Sequence, residues 1–202
     1  MPKRDITNRK LAAEKTREKI YKSALSLFRE RGYENVTVEE ITNDANVAKG
    51  TFYIYFKSKD DVLVRTFQEI DKHYIVALEA ADNKSAGEQF IVLGNAMCKY
   101  VSESFGLDYT KILYRNQISL TEKPIILSNP ERPLYKILRS IVEKGKKTGE
   151  FRSDILDEDM VLLVSRFMRA LLYDWCMHDG KFDLIKEGDR FLKLALSTLR
   201  QP

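Results

Sequence analysis

Apolar residues recur at the spacing of an α-helix along nearly the whole chain. Residues 16–31 give the clearest case, because apolar side chains at positions i, i+4, i+7 and i+8 form a single stripe. No alternating pattern long enough for a β-strand occurs, and there are no internal repeats or low-complexity segments. The pattern predicts an all-α protein with about nine helices. The stripe of the first helix consists of Ile20, Ala24, Leu27 and Phe28.

Two short helices joined by a tight turn are predicted after the first one. Gly32 ends the first helix, at a position where glycine adopts left-handed backbone geometry at little cost. Thr37 and Glu40 have the spacing of a capping box, in which threonine caps the second helix and glutamate reaches back to the cap. Asn46 marks the turn, and residues 48–56 form a third helix with two phenylalanines facing the core.

Polar and proline-containing breaks separate the remaining helices. A helix opened by Ser58 runs to residue 80, and a polar break follows at 82–87. A loop is expected at 121–130, after which Asn129 caps a helix that starts at Pro130 and reaches residue 148, because proline suits the first helical position. The other predicted helices cover residues 87–105, 108–121, 157–178 and 184–199.

Positive charge is concentrated at the start of the chain. Residues 1–60 hold 13 Lys or Arg and 9 Asp or Glu, whereas the other 142 residues hold 21 of each, so the first part carries the whole net charge of +4. A basic leading segment on a neutral body is typical of a module that binds a polyanion. An ordinary solvated excess of charge is the alternative interpretation.

The composition excludes several classes of protein. No run of 18 apolar residues exists, and the first residues lack the apolar stretch of a signal peptide, so we expect a cytoplasmic protein. Cys98 and Cys176 lie far apart in helix-like surroundings and are expected to be small buried hydrophobes. Asp174 and His178 share a helix face, but without further ligands they indicate a polar surface pair, and we expect no metal site and no cofactor.

Four residues near the predicted turn are suited to contact with DNA. In a helix-turn-helix, the second helix enters the major groove and the first crosses the backbone. Thr37 offers a hydroxyl and free N–H groups to a phosphate, a role compatible with plain helix capping. Lys49 and Thr51 reach base edges or phosphates from the first turn of the third helix. Gly50 leaves room for DNA, unless it relieves crowding between helices instead.

Four further candidates follow on the same helix and just beyond it. Tyr53 and Tyr55 are offset from the core-facing phenylalanines and are expected to be partly exposed, with hydroxyls near phosphates. Exposed tyrosines serve equally well in surface packing. Lys57 and Lys59 complete the cluster close to the DNA backbone.

These residues together resemble the tetracycline-repressor (TetR) family of bacterial transcriptional regulators. The resemblance covers roughly the first quarter of the chain and is specific as a block. Asn46 departs from the commoner turn glycine, and Ala48 from a commoner serine that caps the third helix. The matching residues are Phe28, Arg31, Gly32, Tyr33, Thr37, Val38, Ile41, Ala45, Lys49, Gly50, Thr51, Tyr53, Tyr55, Phe56, Lys57, Ser58 and Lys59.

The resemblance implies two domains and a function. Residues 1–60 would form a helix-turn-helix DNA-binding domain, and residues 61–202 a larger helical ligand-binding and dimerisation domain. The last two helices would pair with their copies in a four-helix bundle, in agreement with the apolar run at 160–172. Such a homodimer would repress transcription by binding a palindromic operator, and a small molecule would release it.

An apolar or aromatic effector is expected among the middle helices, because their aromatic and soft side chains are typical of pockets for apolar ligands. Plain core packing is the alternative for each one, and we expect two to four of them to line a cavity. The candidates are Met97, Tyr100, Phe105, Tyr109, Tyr114, Phe167 and Trp175.

Two other functions compete with DNA binding. An enzyme would need a nucleophile with a base, paired carboxylates or a phosphate-binding loop, and the sequence offers no convincing set. A helical adaptor would use the basic head for a non-DNA partner. That alternative would be favoured if nucleic-acid binding survived the loss of Lys49 and Lys57.

Overall fold

The computed structural model describes residues 3–119 and 126–201. Its regular elements in those residues are helical, apart from an isolated antiparallel bridge between Phe151 and Arg200, so the all-α prediction is confirmed. The chain divides into two compact units, Met1–Thr66 and Phe67–Pro202. The α-helices of the described residues are α1 (Lys3–Arg31), α2 (Val38–Asp44), α3 (Lys49–Tyr55), α4 (Lys59–Glu79), α5 (Ala86–Lys99), α6 (Leu107–Ser119), α7 (Pro133–Lys147), α8 (Asp157–Met177) and α9 (Leu184–Leu199).

The first unit packs α1, α2, α3 and the start of α4 around a small apolar core. The stripe predicted for α1 is buried, since Ile20, Ala24 and Phe28 have no solvent exposure. Gly32 has a φ of 80°, which lets the chain turn sharply after α1. Asn46 also takes a left-handed φ of 47° between α2 and α3, as expected for the turn.

Helix α1 begins 13 residues before the predicted start at Thr16. Residues 9–15 have no apolar stripe facing the core, so hydrophobic periodicity gave no signal for them. A long-range charge pair of Glu14 joins these extra turns to α4. The guanidinium of Arg65 on α4 contacts the carboxylates of Glu14 and Glu18 at 3.1 and 2.6 Å.

The second unit is held together by close crossings of its helices. Helices α5 and α9 approach so closely that a Cβ at Gly94 would overlap the side chain of Leu192. Cys98 of α5 lies against Gly188 of α9 and is fully buried, and burial raises the pKa of its thiol to about 12. The thiol therefore contributes to packing and has little thiolate character near neutral pH.

The start of α7 differs from the sequence prediction. Arg132 occupies the N-cap position and Pro133 is the first helical residue, whereas Asn129 accepts a hydrogen bond from the backbone N–H of Glu131 in the preceding turn. The prediction that Asn129 caps a helix starting at Pro130 is therefore wrong. Both prolines are compatible with a first turn, and the observed N-cap residue, Arg132, also makes a long-range ion pair with Asp71.

The predicted helix at 87–105 consists of α5 followed by a π-helix, Tyr100–Phe105. Gly106 ends this element with a φ of 86°, and its N–H donates to the carbonyl of Val101. The predicted helix end and loop at 120–125 lie outside the described residues, and a 3₁₀ turn, Ile126–Ser128, follows them. Among the described helices, none has the length and apolar character needed to cross a bilayer.

Candidate nucleic-acid interface and apolar cavity

A capping box of two reciprocal hydrogen bonds holds the start of α2. The Thr37 hydroxyl accepts a hydrogen bond from the Glu40 N–H at 3.2 Å, and the Glu40 carboxylate accepts one from the Thr37 N–H at 2.8 Å. These bonds to Thr37 hold the pKa of the Glu40 carboxyl below its usual range. The predicted box is confirmed, and it leaves Thr37 exposed at the N-terminus of a helix.

Helix α3 buries one face and exposes the other. Phe52 and Phe56 are buried, as expected, whereas Tyr53 is 52% exposed. Tyr55 and Thr51 are half-buried. A tyrosine beside a buried phenylalanine can therefore present its hydroxyl outward while its ring stays anchored, here by an edge contact with Phe52 at 5.5 Å between centroids.

Gly50 lies on the open side of the first turn of α3. A Cβ built at this position would meet no atom within 4 Å. The interpretation that Gly50 relieves crowding between helices is therefore wrong for this chain. A glycine that costs helix stability and has no steric role inside the chain is suited to a close approach by another molecule.

The three lysines of the block have different partners. Lys49 is exposed and lies 3.5 Å from the Glu39 carboxylate, a surface pair of little energetic value. Lys57 is exposed, and its ammonium has no ion pair within the described residues. The ammonium of Lys59 points inward and donates to the carbonyls of Tyr33 and Val36 at 2.8 and 2.6 Å.

Lys59 therefore holds the loop between α1 and α2. Its cation also lies 4.5 Å from the centre of the Tyr33 ring, whose hydroxyl donates to Asp60 at 2.6 Å. Burial and the Asp60 carboxylate raise the pKa of the Tyr33 hydroxyl far above its usual range, so Tyr33 stays a donor.

Sequence reasoning missed Ile54, the most exposed large apolar residue of α3 at 75% exposure. The offset from the phenylalanine face that exposes Tyr53 applies equally to Ile54, so the helical spacing contained the signal. An open groove of about 570 Å³ lies beside it, between α3 and α1. The groove is lined by Lys10, Ala13, Glu14, Arg17, Ile54 and Tyr55.

The second unit contains an almost wholly apolar cavity of about 50 Å³. A pocket that holds a drug-sized ligand has a volume of about 300–1,000 Å³. The cavity is therefore too small for such a molecule unless its walls move apart. Its walls come from α4 to α8 and include Phe67, Ile70, Tyr74, Met97, Val101, Phe105, Leu113, Tyr114, Met168 and Arg169.

Three of the seven candidate ligand residues, Met97, Phe105 and Tyr114, line this cavity. The other four lie elsewhere in the second unit. Tyr100 stacks on His73 with ring centroids 4.0 Å apart, and Tyr109 packs on the far side of Phe105 at 5.3 Å. Phe167 contacts Phe191 on α9, and the indole of Trp175 donates to the Phe182 carbonyl at 3.2 Å.

A buried ion pair lies beside the cavity. The guanidinium of Arg132 donates to both oxygens of Asp71 at 2.6 and 3.1 Å, and the two side chains are 8% and 4% exposed. The same guanidinium lies 5.0 Å from the centre of the Phe67 ring. Sequence spacing could not reveal this pair, because its members are 61 residues apart.

Arg169 lies between the cavity and an open groove of about 490 Å³. Its guanidinium donates to the Tyr135 hydroxyl at 2.8 Å and to the Leu127 carbonyl at 3.3 Å. The Tyr114 hydroxyl donates to the Arg169 carbonyl at 2.8 Å, and burial raises the pKa of Tyr114 far above its usual range. Cavity and groove share three lining residues, one cationic and two neutral: Arg169, Tyr114 and Leu127.

The outer faces of α8 and α9 expose a continuous set of apolar side chains. Leu162, Leu163, Phe191 and Leu194 are between 37% and 63% exposed. Exposed apolar faces of this kind are typical of subunit interfaces. Near the end of α8, Asp174 and His178 form the polar surface pair expected from their spacing, at 3.4 Å. Within the described residues, no group of three or more His, Cys, Asp or Glu side chains is arranged to hold a metal ion.

Two family models match this chain, and together they cover more than half of it. The model of bacterial regulatory proteins of the tetR family matches residues 20–66. The model of the C-terminal region of YsiA-like proteins matches residues 119–198. The first match contains the capping box, the turn and α3, and the second contains α7, α8 and α9.

Curated relatives are transcriptional regulators rather than enzymes. The fatty acid metabolism regulator protein of Bacillus subtilis is 27% identical over 184 residues, covering 89% of this chain and 93% of that protein. The HTH-type transcriptional repressor BepR of Brucella suis is 23% identical, with 96% of each chain covered.

Solved structures share the fold over nearly the whole chain. The fatty acid degradation regulator FadR from Bacillus halodurans has a TM-score of 0.71 at 25% identity, covering 89% of this chain and 94% of that one. FadR from Bacillus subtilis, solved in complex with stearoyl-CoA, has a TM-score of 0.74 at 22% identity, with 91% and 99% covered.

Proposed function

This chain belongs to the TetR family of bacterial regulatory proteins, and we propose that it is a ligand-responsive transcriptional repressor that binds a palindromic operator as a homodimer. The observation that carries the DNA-binding part is the outer surface of α3, which is open at Gly50 and exposes Tyr53. A DNA-binding repressor of this kind works in the cytoplasm, where its operator lies.

In the proposed complex, α3 enters the major groove and α2 crosses the DNA backbone. Thr51 and Lys49 contact base edges or nearby phosphates, and Gly50 allows the helix to approach the bases closely. Thr37, Tyr53, Tyr55 and Lys57 contact phosphates. We leave Lys59 out of this set, because its ammonium is engaged by two backbone carbonyls.

The apolar outer faces of α8 and α9 support the homodimer. Leu163 and Leu194 would be covered by a second copy of the same two helices in a four-helix arrangement. A two-fold axis through this interface would present two α3 helices to the two halves of a palindrome.

We propose a long-chain fatty acyl-CoA as the effector. The apolar cavity suits an acyl chain, and Arg169, which lines both the cavity and the open groove, suits an anionic or carbonyl-bearing head. The relatives support this choice, because two are named as fatty acid regulators and one was solved with stearoyl-CoA.

The small volume of the cavity suggests how binding is linked to release. An acyl chain can enter the second unit only if the cavity walls separate, and Phe67, Ile70 and Tyr74 of α4 belong to those walls. The first residues of α4, up to Thr66, belong to the first unit. Displacement of α4 would favour a conformation with lower operator affinity, since the effector binds that conformation better.

A gel-shift titration on the DNA upstream of the protein's own gene tests the DNA-binding part. We expect a discrete complex that resists excess non-specific competitor DNA at moderate salt. A smear that competitor removes at the same concentrations would exclude operator recognition.

Calorimetric titration with stearoyl-CoA, stearate and free CoA tests the effector. We expect stearoyl-CoA to bind at least tenfold more tightly than either part, because chain and head contacts both contribute. Arg169→Gln should weaken stearoyl-CoA binding about tenfold, from the loss of a charge-assisted contact. Arg152→Gln removes the same charge from a residue that lines neither the cavity nor the groove; it is the matched control and should bind like wild type. Equal binding by both variants would exclude Arg169 from the head-group site.

A further inference from the structure

Helix α1 extends well beyond the part of the chain that matches the DNA-binding family model. The match begins at Ile20, which is also the first fully buried residue of α1 among those described. The helix itself begins at Lys3. From Arg9 to Ile20 it spans about 16 Å at 1.5 Å per residue, so several helical turns precede the core of the first unit.

The positive charges of these turns are largely left without acidic partners. Glu14 and Glu18 both contact the guanidinium of Arg65. Arg9 and Lys10 are exposed, and neither has an ion pair within the described residues. Lys3 and Arg4 add two more basic residues at the helix start. Residues 3–19 hold seven Lys or Arg against three Asp or Glu, so this part of α1 presents a net positive field to solvent.

Lys10 lies on the side of α1 that faces α3. It lines the same open groove as Ile54 and Tyr55, two residues at the end of the proposed recognition helix. At about 100° per residue, Lys15 and Lys19 lie on the opposite side of α1 from Lys10. Arg9 lies on the same face of α1 as Ile20, about three turns earlier in the helix and beyond the end of the apolar core. DNA held by α3 would therefore pass next to the turn that carries Arg9 and Lys10.

Resting on the DNA-binding function proposed above, we propose that this outer part of α1 is a second, sequence-independent DNA contact, in which Arg9 and Lys10 bind backbone phosphates beside the groove that receives α3. Guanidinium and ammonium groups that neutralise phosphates release condensed counterions. Their contribution is therefore read from the salt dependence of binding. It is the same for operator and unrelated DNA, because phosphates carry no sequence information.

Two charge-matched double variants test this contact. Arg9→Gln/Lys10→Gln removes the positive charge of Lys10, on the side of α1 that faces α3, and that of its neighbour Arg9. Lys15→Gln/Lys19→Gln removes two positive charges from the opposite side of the same helix. Fluorescence anisotropy would measure the affinity of each for operator and scrambled duplexes between about 50 and 200 mM salt. Thermal unfolding followed by circular dichroism would establish that both remain folded.

We expect Arg9→Gln/Lys10→Gln to lower the slope of log affinity against log salt by about one for each lost phosphate contact, so by about two per protomer. Its affinities for operator and scrambled DNA should fall by the same factor. Lys15→Gln/Lys19→Gln should change the slope by less than half as much. Equal slopes for the two variants, or a slope for Arg9→Gln/Lys10→Gln equal to that of wild type, would overturn this contact while leaving operator recognition intact. A wild-type protein without a discrete operator complex would overturn both.

Discussion

The two units of the molecule place their functional side chains in opposite surroundings. In the first unit, the candidate DNA contacts Tyr53 and Lys57 are exposed, and few of their atoms stabilise the fold. In the second unit, the candidate effector site is lined by buried side chains that also form the core. Candidate function and stability are therefore separable in the first unit and inseparable in the second.

Helix α4 shows the same difference in its charges. Arg65, in the first unit, shares its charge between Glu14 and Glu18, whose side chains are 59% and 40% exposed. Asp71, six residues later in the second unit, has Arg132 as a partner, and both are almost fully buried. The Arg65 guanidinium is itself only 6% exposed, but it keeps one carboxylate when the other is lost, whereas the ion pair of Arg132 within the described residues is with Asp71 alone.

The largest expected effect comes from breaking the buried pair. Asp71→Ala leaves the Arg132 guanidinium buried without its carboxylate, and we expect a loss of about 3–5 kcal/mol in the free energy of unfolding. Glu14→Ala is the matched change in the first unit and should cost no more than about 1 kcal/mol, since Glu18 remains. Urea denaturation measures both. Similar losses for the two variants would contradict the difference between the units.

Substitutions of the exposed candidate DNA contacts are expected to cause a smaller change in free energy, and one confined to DNA affinity. Tyr53→Ala and Lys57→Ala should each weaken operator binding about tenfold, equivalent to about 1.4 kcal/mol, while the free energy of unfolding stays within about 0.5 kcal/mol of wild type. Anisotropy and urea denaturation measure the two quantities. Lys72→Ala removes the same charge from an exposed position in the second unit and serves as the control. A large loss of stability in Tyr53→Ala would mean that its ring is part of the core.

Thr37→Ala should affect both properties at once. The loss of the cap on α2 is expected to cost about 1 kcal/mol of stability, and operator affinity should fall as well, because the same hydroxyl is the proposed phosphate contact. Thr37→Ser keeps the hydroxyl and should restore both. Recovery of stability without recovery of affinity would show that the methyl group, rather than the hydroxyl, matters for DNA.

Gly50→Ala is expected to change stability and operator affinity in opposite directions. Gly50→Ala should leave the protein as stable as wild type or more stable by up to about 1 kcal/mol, because alanine favours a helix and meets no atom of the chain. Operator affinity should nevertheless fall, since the added methyl group would meet DNA. Unchanged affinity would show that α3 does not approach the bases at this position.

The sequence predicted the first unit far better than the second, and the reason is the range of the interactions. The capping box of Thr37 and Glu40 joins residues three apart, and the left-handed turn at Asn46 depends on one residue. Both could be read from local spacing. The early start of α1 could not, because its first turns carry no apolar stripe and Glu14 finds its partner in Arg65, 51 positions later.

In the second unit, the decisive contacts are distant in sequence. Arg132 occupies the N-cap position of α7 and pairs with Asp71, 61 residues away, whereas the local proline signal pointed to an earlier turn. An aromatic residue of the middle helices can face the cavity, as Phe105 does, or another helix, as Phe167 does. Composition cannot separate these cases, since both environments favour the same residue types.

Effector-driven release of DNA is the most direct test of a ligand-switched repressor. A preformed complex with fluorescent upstream DNA would be titrated with stearoyl-CoA and followed by anisotropy, with free CoA as the control. We expect the anisotropy to fall to the value of free DNA with stearoyl-CoA and to stay unchanged with free CoA. A complex that persists while calorimetry shows the protein saturated with stearoyl-CoA would contradict the proposed switch.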